Sequence, residues 1–478
     1  MQNDEPVWRD VDKRRKAYAA FSDRIWGMPE LCYQEVKSCA EHVAMLEAEG
    51  FRITRNVVGI PTAVMGEAGE GGPVIAILGE YDALPELSQE AGLAEHKPVP
   101  GTGNGHACGH NLLGAGALLA AAAVKDWLKA NGIKGRVRYY GCPAEEGGGA
   151  KGYMARDGAF DDVDIAISWH PAVFSGVNEP ISLACRQIDF TFTGRSSHAA
   201  ATPHLGRSAL DAVELMSVGV NYMREHVPQD ARMHYAYLDA GGVAPNVVQG
   251  RAKVTHLIRA RELATVDMLC ARVEKVAQGA ALMTETSVTS EVMSAYSNLL
   301  ANPPLEKLMY DNFLRLGPPP FSDADRAYAA EIQKTLRPDD IESAYKRAGL
   351  PIESGKSLCD LIVPLGSKGA GLIGSTDLGD VSWKVPTVYA RGATMAIGTP
   401  GHSWQVTTQG KTPAAHTGMV HVAKVMAGTA VDAFTNPRVI AEAKADHVKR
   451  TGGKPYQCPI PAGSKPPFEM RAVPHANA

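Results

Sequence analysis

The strongest constraint on the fold is a set of short apolar runs that each stop at a polar, chemistry-bearing end. Val74-Ile75-Ala76-Ile77-Leu78 lies between Pro73 and Gly79 and leads into Glu80-Tyr81-Asp82-Ala83-Leu84-Pro85. A compact aliphatic run of this length reads as a buried strand. Arg136-Val137-Arg138-Tyr139-Tyr140 leads into Cys142-Pro143-Ala144-Glu145-Glu146 and three glycines, and Ile165-Ala166-Ile167 leads into Trp169-His170-Pro171. Open α/β sheets bind ligands beyond the carboxyl ends of their strands. Three such ends here carry Asp82, Glu145 with Glu146, and His170, on a scaffold rigid enough to hold them in register.

The first strand is joined to the second through Asn104-Gly105-His106-Ala107-Cys108-Gly109-His110-Asn111 and a predicted helix over 111–130, closed by Asn131-Gly132. Upstream, 10–26 and 38–50 read as amphipathic helices, and 51–57 and 62–65 as short strands. From residue 186 the texture changes. Ile188, Phe190 and Phe192 alternate with Asp189, Thr191 and Thr193, the pattern of a half-exposed strand. A helix over 208–224, strands over 234–240 and 247–261, a helix over 263–283 and a strand over 286–293 complete a β-α-β-β-α-β order, that of a ferredoxin-like module. The predicted architecture is an α/β catalytic domain with a mixed sheet, residues 1–184 and 299–478, interrupted by an inserted α+β lid or dimerisation domain at 185–298. In the second half, 305–316 and 323–336 read as helices, and the stretch to Gly374 as mostly loops. Strands are expected at 388–391 and 395–397, then a helix over 411–434 and another beginning at Asn436-Pro437. Residues 454–478 read as an extended Pro-rich tail that wraps the surface or a partner.

Several function classes fall away on composition. With 48 Lys and Arg against 52 Asp and Glu, the net charge is −4, which argues against a general nucleic-acid surface. The longest apolar helix, about 112–124, falls short of the roughly 20 residues a membrane span needs, so no membrane partner is expected. No secretory signal is visible at the acidic N-terminus. Eight scattered cysteines without a Cys-x-x-Cys pair suggest reduced thiols and a cytoplasmic location.

Cys108 and His110 form a Cys-x-His pair able to aim two donors the same way. Glu146, His170 and His402, the last in the loop Gly401-His402-Ser403, complete a set of five candidate ligands. Two adjacent divalent ions could share them. Thiolate and imidazole suit zinc, while mixed carboxylate and imidazole also suit manganese. If Glu146 holds metal, its neighbour Glu145 is free to take a proton from an activated water and pass it to a leaving group. The expected reaction is attack on an amide carbonyl.

These motifs, with Ser197-His198-Ala199 and the segment 241–248, resemble the metallopeptidase family of the aminoacylases and carboxypeptidase G, in its branch of amidohydrolases acting on N-acyl amino acids. The resemblance spans nearly the whole chain. It implies cleavage of an N-acyl or N-aroyl amino acid, with p-aminobenzoyl-glutamate the leading candidate. It also implies Cys108, His110, Glu146, His170 and His402 as ligands of two manganese or zinc ions, Glu145 as general base, and Asp82 as the acid that orients a ligand. His198 would polarise the substrate carbonyl from the inserted domain, often across a dimer interface. Asn246 and Arg259 would meet the substrate carboxylate or oxyanion. A homodimer, or a heteromer with a homologous subunit, is implied as well. Dipeptide cleavage, arylamine deamination at the same site and a regulatory subunit are the competing readings. Two positions depart from the pattern: Glu80 stands where the wider family carries a ligand His, and Asn111 where this branch carries Asp.

Overall fold

The computed structural model describes residues 5–177, 181–369 and 374–470. Its strands are β1 Arg52–Arg55, β2 Val64–Glu70, β3 Val74–Glu80, β4 Gly135–Cys142, β5 Ile165–Ala172, β6 Gly176–Val177, β7 Ala184–Thr193, β8 Arg232–Asp239, β9 Arg251–Ala260, β10 Ser287–Tyr296 and β11 Thr387–Ala393. Seven form one sheet in the order β1-β2-β4-β3-β5-β11-β6. The central neighbours β4, β3, β5 and β11 run parallel, while β1, β2 and β6 are antiparallel to their neighbours.

Period-2 alternation explains why β3 is apolar throughout. Ile75 and Ile77 face one core with the helices Pro6–Trp26, His110–Asn131 and Pro413–Thr435. Val74, Ala76 and Leu78 face a second core with Tyr153, Leu378 and Ile460. Both faces are covered, so every residue of β3 is buried. The polar residues at its end are therefore held on a backbone that cannot shift without disturbing two cores.

The remaining strands form an all-antiparallel sheet, β10-β7-β9-β8. Helices Ala209–Met223 and Leu263–Thr284 cover it around a separate core. This is the β-α-β-β-α-β arrangement read from the alternation. Its first and last strands are neighbours, with Cys185 opposite Tyr296. The chain thus enters and leaves the small sheet at one point, which lets the module sit inside the larger fold without breaking it.

The second half holds differences. A helix, Pro338–Ala348, occupies part of the stretch expected to be loops. Pro at its first turn, Asp339 and Asp340 beside it, Lys346 and Arg347 in its last turn and left-handed Gly349 after it are the local features that define it. The two strands expected at 388–391 and 395–397 are one, β11, and Met395–Ile397 lies in the turn beyond it. β5 runs on to Ala172 because β11 pairs with it that far, so His170 lies within a strand rather than after one. The helix Ala150–Arg156 was not expected. The tail, as far as Met470, wraps this chain: Tyr456, Cys458, Phe468 and Met470 pack on the second core, and Tyr456 donates to Asp380 at 2.8 Å. Residues 471–478 of the predicted tail lie outside the described residues. Among those described, no helix is long and apolar enough to cross a membrane.

Candidate metal centre

The carboxyl ends of β3, β4 and β5 and the start of the helix His110–Asn131 meet at one cluster. Cys108 Sγ lies 3.3 Å from His170 Nε2. The other ring nitrogen of His170 lies 2.7 Å from the Pro171 carbonyl, which leaves Nε2 to face the cluster. His110 points one ring nitrogen at Asp82, 3.0 Å from Oδ1 and 3.1 Å from the backbone carbonyl. Its Nε2 lies 3.3 Å from Glu80 and 4.0 Å from Glu146. His402 Nε2 lies 3.4 Å from Glu146 Oε1. All five candidate ligands therefore come together, as two donor triplets that share Cys108: Cys108–His110–His170 and Cys108–Glu146–His402.

Asp82 ties this arrangement together. One carboxylate oxygen faces His110, and the other accepts the backbone N–H of Glu146 at 2.8 Å and the thiol of Cys32 at 3.6 Å. A single buried side chain thus fixes both a ring tautomer and the approach of the Glu145-Glu146 turn. That turn is strained: Ala144 has φ 56°, a left-handed value unfavourable for a residue with a Cβ. Buried Glu35 holds it there, accepting from the Ala144 and Tyr33 N–H groups at 2.8 and 2.9 Å. His402 also has positive φ, 55°, and its N–H donates to Ala107 beside Cys108. Backbone strain of this kind persists only where surroundings over-determine it, and it gathers at functional sites.

The electrostatics show what the cluster lacks. Burial opposes a thiolate at Cys108, yet His170 and His110 hold its pKa well below the usual thiol range. Burial likewise opposes charge on His110, but Cys108 and Asp82 push its pKa well up. Hydrogen bonding to Cys108 and Glu146 pushes His402 up to about 11. Burial, then Cys108, pushes Glu146 up to about 7. Burial, then Glu80 and Glu146, pushes Glu145 well above the ordinary carboxylate range. Negative groups are crowded, and each available cation is drawn toward them. Glu80 Oε2, His110 Nε2 and Glu146 Oε1 are buried without a hydrogen-bond partner. Soft and hard donors aimed at a common space, with excess negative charge, fit divalent cations.

Sequence reasoning missed the groups that support the cluster. Lys151, fully buried, lies 2.7 Å from Glu80 and 2.6 Å from Asp377. No local pattern marks Lys151 or Asp377, since the contact spans 226 residues. Glu80, the departure from the family pattern, is in the cluster, where it forms a third triplet with His110 and Glu145. Asn111 faces away from that role: its amide donates to Ser22 and to the Gly410 carbonyl, pinning the helix start. His106 is also structural, bonded to the Ile25 carbonyl, and burial lowers its pKa to about 4.

His198, Asn246 and Arg259 lie elsewhere, on the small sheet. His198 is exposed, and its ring accepts from the Ala200 and Ala201 N–H groups. Asn246 is exposed beside it, its carbonyl accepting from Ala199. Arg259 lies on β9 opposite Cys185 and Arg232, with a buried Nε that has no hydrogen-bond partner.

The family model of Peptidase family M20/M25/M40 matches residues 76–337. The chain belongs to this family. It is 45% identical over 467 residues to one of the subunits of p-aminobenzoyl-glutamate hydrolase from Escherichia coli (strain K12), covering 95% of this chain and 97% of that protein. It is 29% identical over 444 residues to Xaa-Arg dipeptidase of Mus musculus, covering 90% and 88%. A solved Bacillus subtilis protein, titled a dinuclear metal binding peptidase of the M20 family, shares the fold with TM-score 0.52 at 19% identity, covering 85% of this chain and 98% of that one. The resemblance read from the motifs therefore holds, and the protein is a metal-dependent hydrolase of this family.

Proposed function

We propose that the protein hydrolyses the amide bond of an N-acyl or N-aroyl amino acid, with p-aminobenzoyl-glutamate the first candidate. The observation that carries this reading is the pair of donor triplets sharing Cys108 directly beside Glu145. Cys108, His110, Glu146, His170 and His402 would hold two divalent ions, zinc or manganese. Such ions, when bound, supply the Lewis acidity that makes water nucleophilic near neutral pH and polarises an amide carbonyl.

The chain's own residues do the rest. Glu145 takes a proton from the attacking water and delivers it to the leaving nitrogen as the C–N bond breaks. Burial, then Glu80 and Glu146, raises the Glu145 carboxyl above the usual range, so it holds a proton more readily than an ordinary glutamate. Asp82 fixes the ring of His110. His198, from the module proposed to span 185–298, polarises the carbonyl, and Asn246 and Arg259 meet the substrate carboxylate. Because His198 and Asn246 are exposed on the small sheet, this role requires lid closure or a second chain. The similarity to a protein named as a subunit supports a heteromer with a homologous chain, with a homodimer as the alternative. Eight free cysteines support a cytoplasmic location.

The test is a substrate panel of aroyl-amino acids, acyl-amino acids and Xaa-Arg dipeptides, with and without chelator. Metal-dependent release of p-aminobenzoate is expected. Absence of metal-dependent hydrolysis from every aroyl- and acyl-amino acid would sink the proposal. Turnover of dipeptides alone would favour the peptidase reading, and activity appearing only on adding a homologous chain would favour a role as part of a heteromer.

A further inference from the structure

We infer that Tyr33 is a positioning residue for Glu145, and that the Pro-rich tail holds Tyr33 in place through Phe468. This rests on the hydrolase reading above and deepens it by naming what fixes the general base.

Glu145 sits in a turn over residues 144–149 that folds back on itself. The Gly149 N–H donates to the Ala144 carbonyl at 2.8 Å, and that of Gly147 to the Glu145 carbonyl at 2.7 Å. Residues 147–149 are all glycine, so this half of the turn has no side chain to anchor it, and glycine leaves the backbone free to move. Restraint must come from neighbouring segments.

The short connection between the helices Pro6–Trp26 and Val36–Ala48 supplies it. Glu35 accepts from the Ala144 N–H at 2.8 Å, and the Cys32 thiol donates to the Glu146 carbonyl at 3.2 Å. The Tyr33 hydroxyl donates to the Gly148 carbonyl at 2.8 Å. The bonds at Ala144 and Gly148 bracket Glu145. Tyr33 is itself left-handed, with φ 64°, a costly conformation for a residue with a Cβ. Its own N–H donates at 2.9 Å to the Glu35 oxygen that also receives Ala144. A Cβ on Gly148 would come within 2.7 Å of the Tyr33 ring, and one on Gly149 within 2.6 Å of the Tyr296 ring. Two buried tyrosine rings therefore abut consecutive glycines of the turn, and Tyr296 sits where β10 leaves the inserted module.

The tail closes the arrangement from outside. Phe468 meets the Tyr33 ring edge-on, with centroids 5.4 Å apart and planes at 88°, a favoured aromatic geometry. The Phe468 carbonyl accepts from the Gln34 side chain at 2.8 Å. Just before it, the Ser464 and Lys465 carbonyls accept from Arg156 and Tyr153 at 2.9 and 3.2 Å, on the helix Ala150–Arg156 that follows the turn. The tail thus joins the segment that grips the turn to the helix that leaves it. A general base must lie within hydrogen-bond reach of the proton it takes, and misplacement by about 1 Å costs up to about 10²-fold. Tyr33 acts on that distance through the backbone and touches no substrate.

The experiment measures kcat, KM and metal content with p-aminobenzoyl-glutamate in the full chain, Tyr33→Phe and Phe468→Ala, each also made on a Glu145→Gln background. Tyr33→Phe removes one hydroxyl and keeps the ring. It should lower kcat by about 10-fold, as for a small misplacement of a reacting group, with KM and metal content unchanged. Phe468→Ala should lower kcat by about 3-fold, the scale of one lost aromatic pair. On the Glu145→Gln background neither change should lower the residual rate further, because a residue acting only through Glu145 has nothing left to position. An unchanged kcat in Tyr33→Phe, or equal losses on both backgrounds, overturns the inference. Hydrogen exchange across residues 143–149, read by mass spectrometry on the same proteins, separates the two levels. If wild type hydrolyses nothing, the hydrolase reading fails. The hold on the turn still stands if exchange there rises in Tyr33→Phe, and falls if it does not. Matching thermal unfolding shows that each variant is folded.

Discussion

The end of the large sheet and the loops of the small one carry the same kinds of residue under opposite physical conditions. At the large sheet, His110, Asp82, Glu80 and Lys151 are all but fully buried, and each is placed by a charged or polar neighbour. At the small sheet, His198 and Asn246 face solvent and are held only by short loop contacts. The first region is built to hold charge in fixed positions before any substrate arrives. The proposed mechanism draws on both, because preorganised charge must be reached by substrate and then closed off from water.

Four single substitutions, one of them paired with a second compensating change, probe this contrast, from large effect to small. Glu145→Gln should lower kcat by about 10³-fold while leaving metal content unchanged, since a general base contributes on that scale; metal analysis beside steady-state kinetics checks it. Lys151→Met should destabilise the fold by about 3–5 kcal/mol, the cost of leaving a buried carboxylate pair without its cation. Adding Asp377→Asn should recover part of that loss in denaturant unfolding. His198→Ala should lower kcat by about 10²-fold, as for loss of one group that stabilises developing charge. It should change neither metal content nor unfolding midpoint, because its site is exposed. Asp380→Asn should be the mildest. Burial raises the Asp380 carboxyl from 3.8 to about 7 while Ser297 and Tyr456 donate to it. Its contribution is therefore full below the unfolded pKa and is lost as pH rises through about 7. Unfolding measured between pH 4 and 8 should show a steeper decline in wild type than in the variant, where Glu146, raised to about 7, still titrates.

The same contrast explains what the sequence disclosed. Donors at the ends of β3, β4 and β5 were legible because the strands that carry them are short, apolar and bounded by Gly and Pro. The ferredoxin-like module was legible because its strands have one solvent-facing side and so alternate. Lys151 and Asp377 were not legible, since a lysine after three glycines looks like surface and its partner is brought to it only by the folded sheet. The helix Pro338–Ala348 did carry its own start and stop signals. Its sequence is polar, with only Ala344 and Tyr345 buried, so the usual apolar periodicity was thin. β5 was read short because its last residues are set by pairing with a strand far along the chain, Ala172 standing opposite Ala393 of β11.

Central to the proposed chemistry is one thiolate that serves two metal sites. Metal content per chain, measured by mass spectrometry on wild type, Cys108→Ala and His110→Ala purified in parallel, tests it most directly. Because Cys108 belongs to both donor triplets and His110 to only one of those two, Cys108→Ala should lose both ions and activity. His110→Ala should lose at least one ion and activity, and the inserted module should stay folded in each. Two ions and full activity in either variant would contradict the assignment.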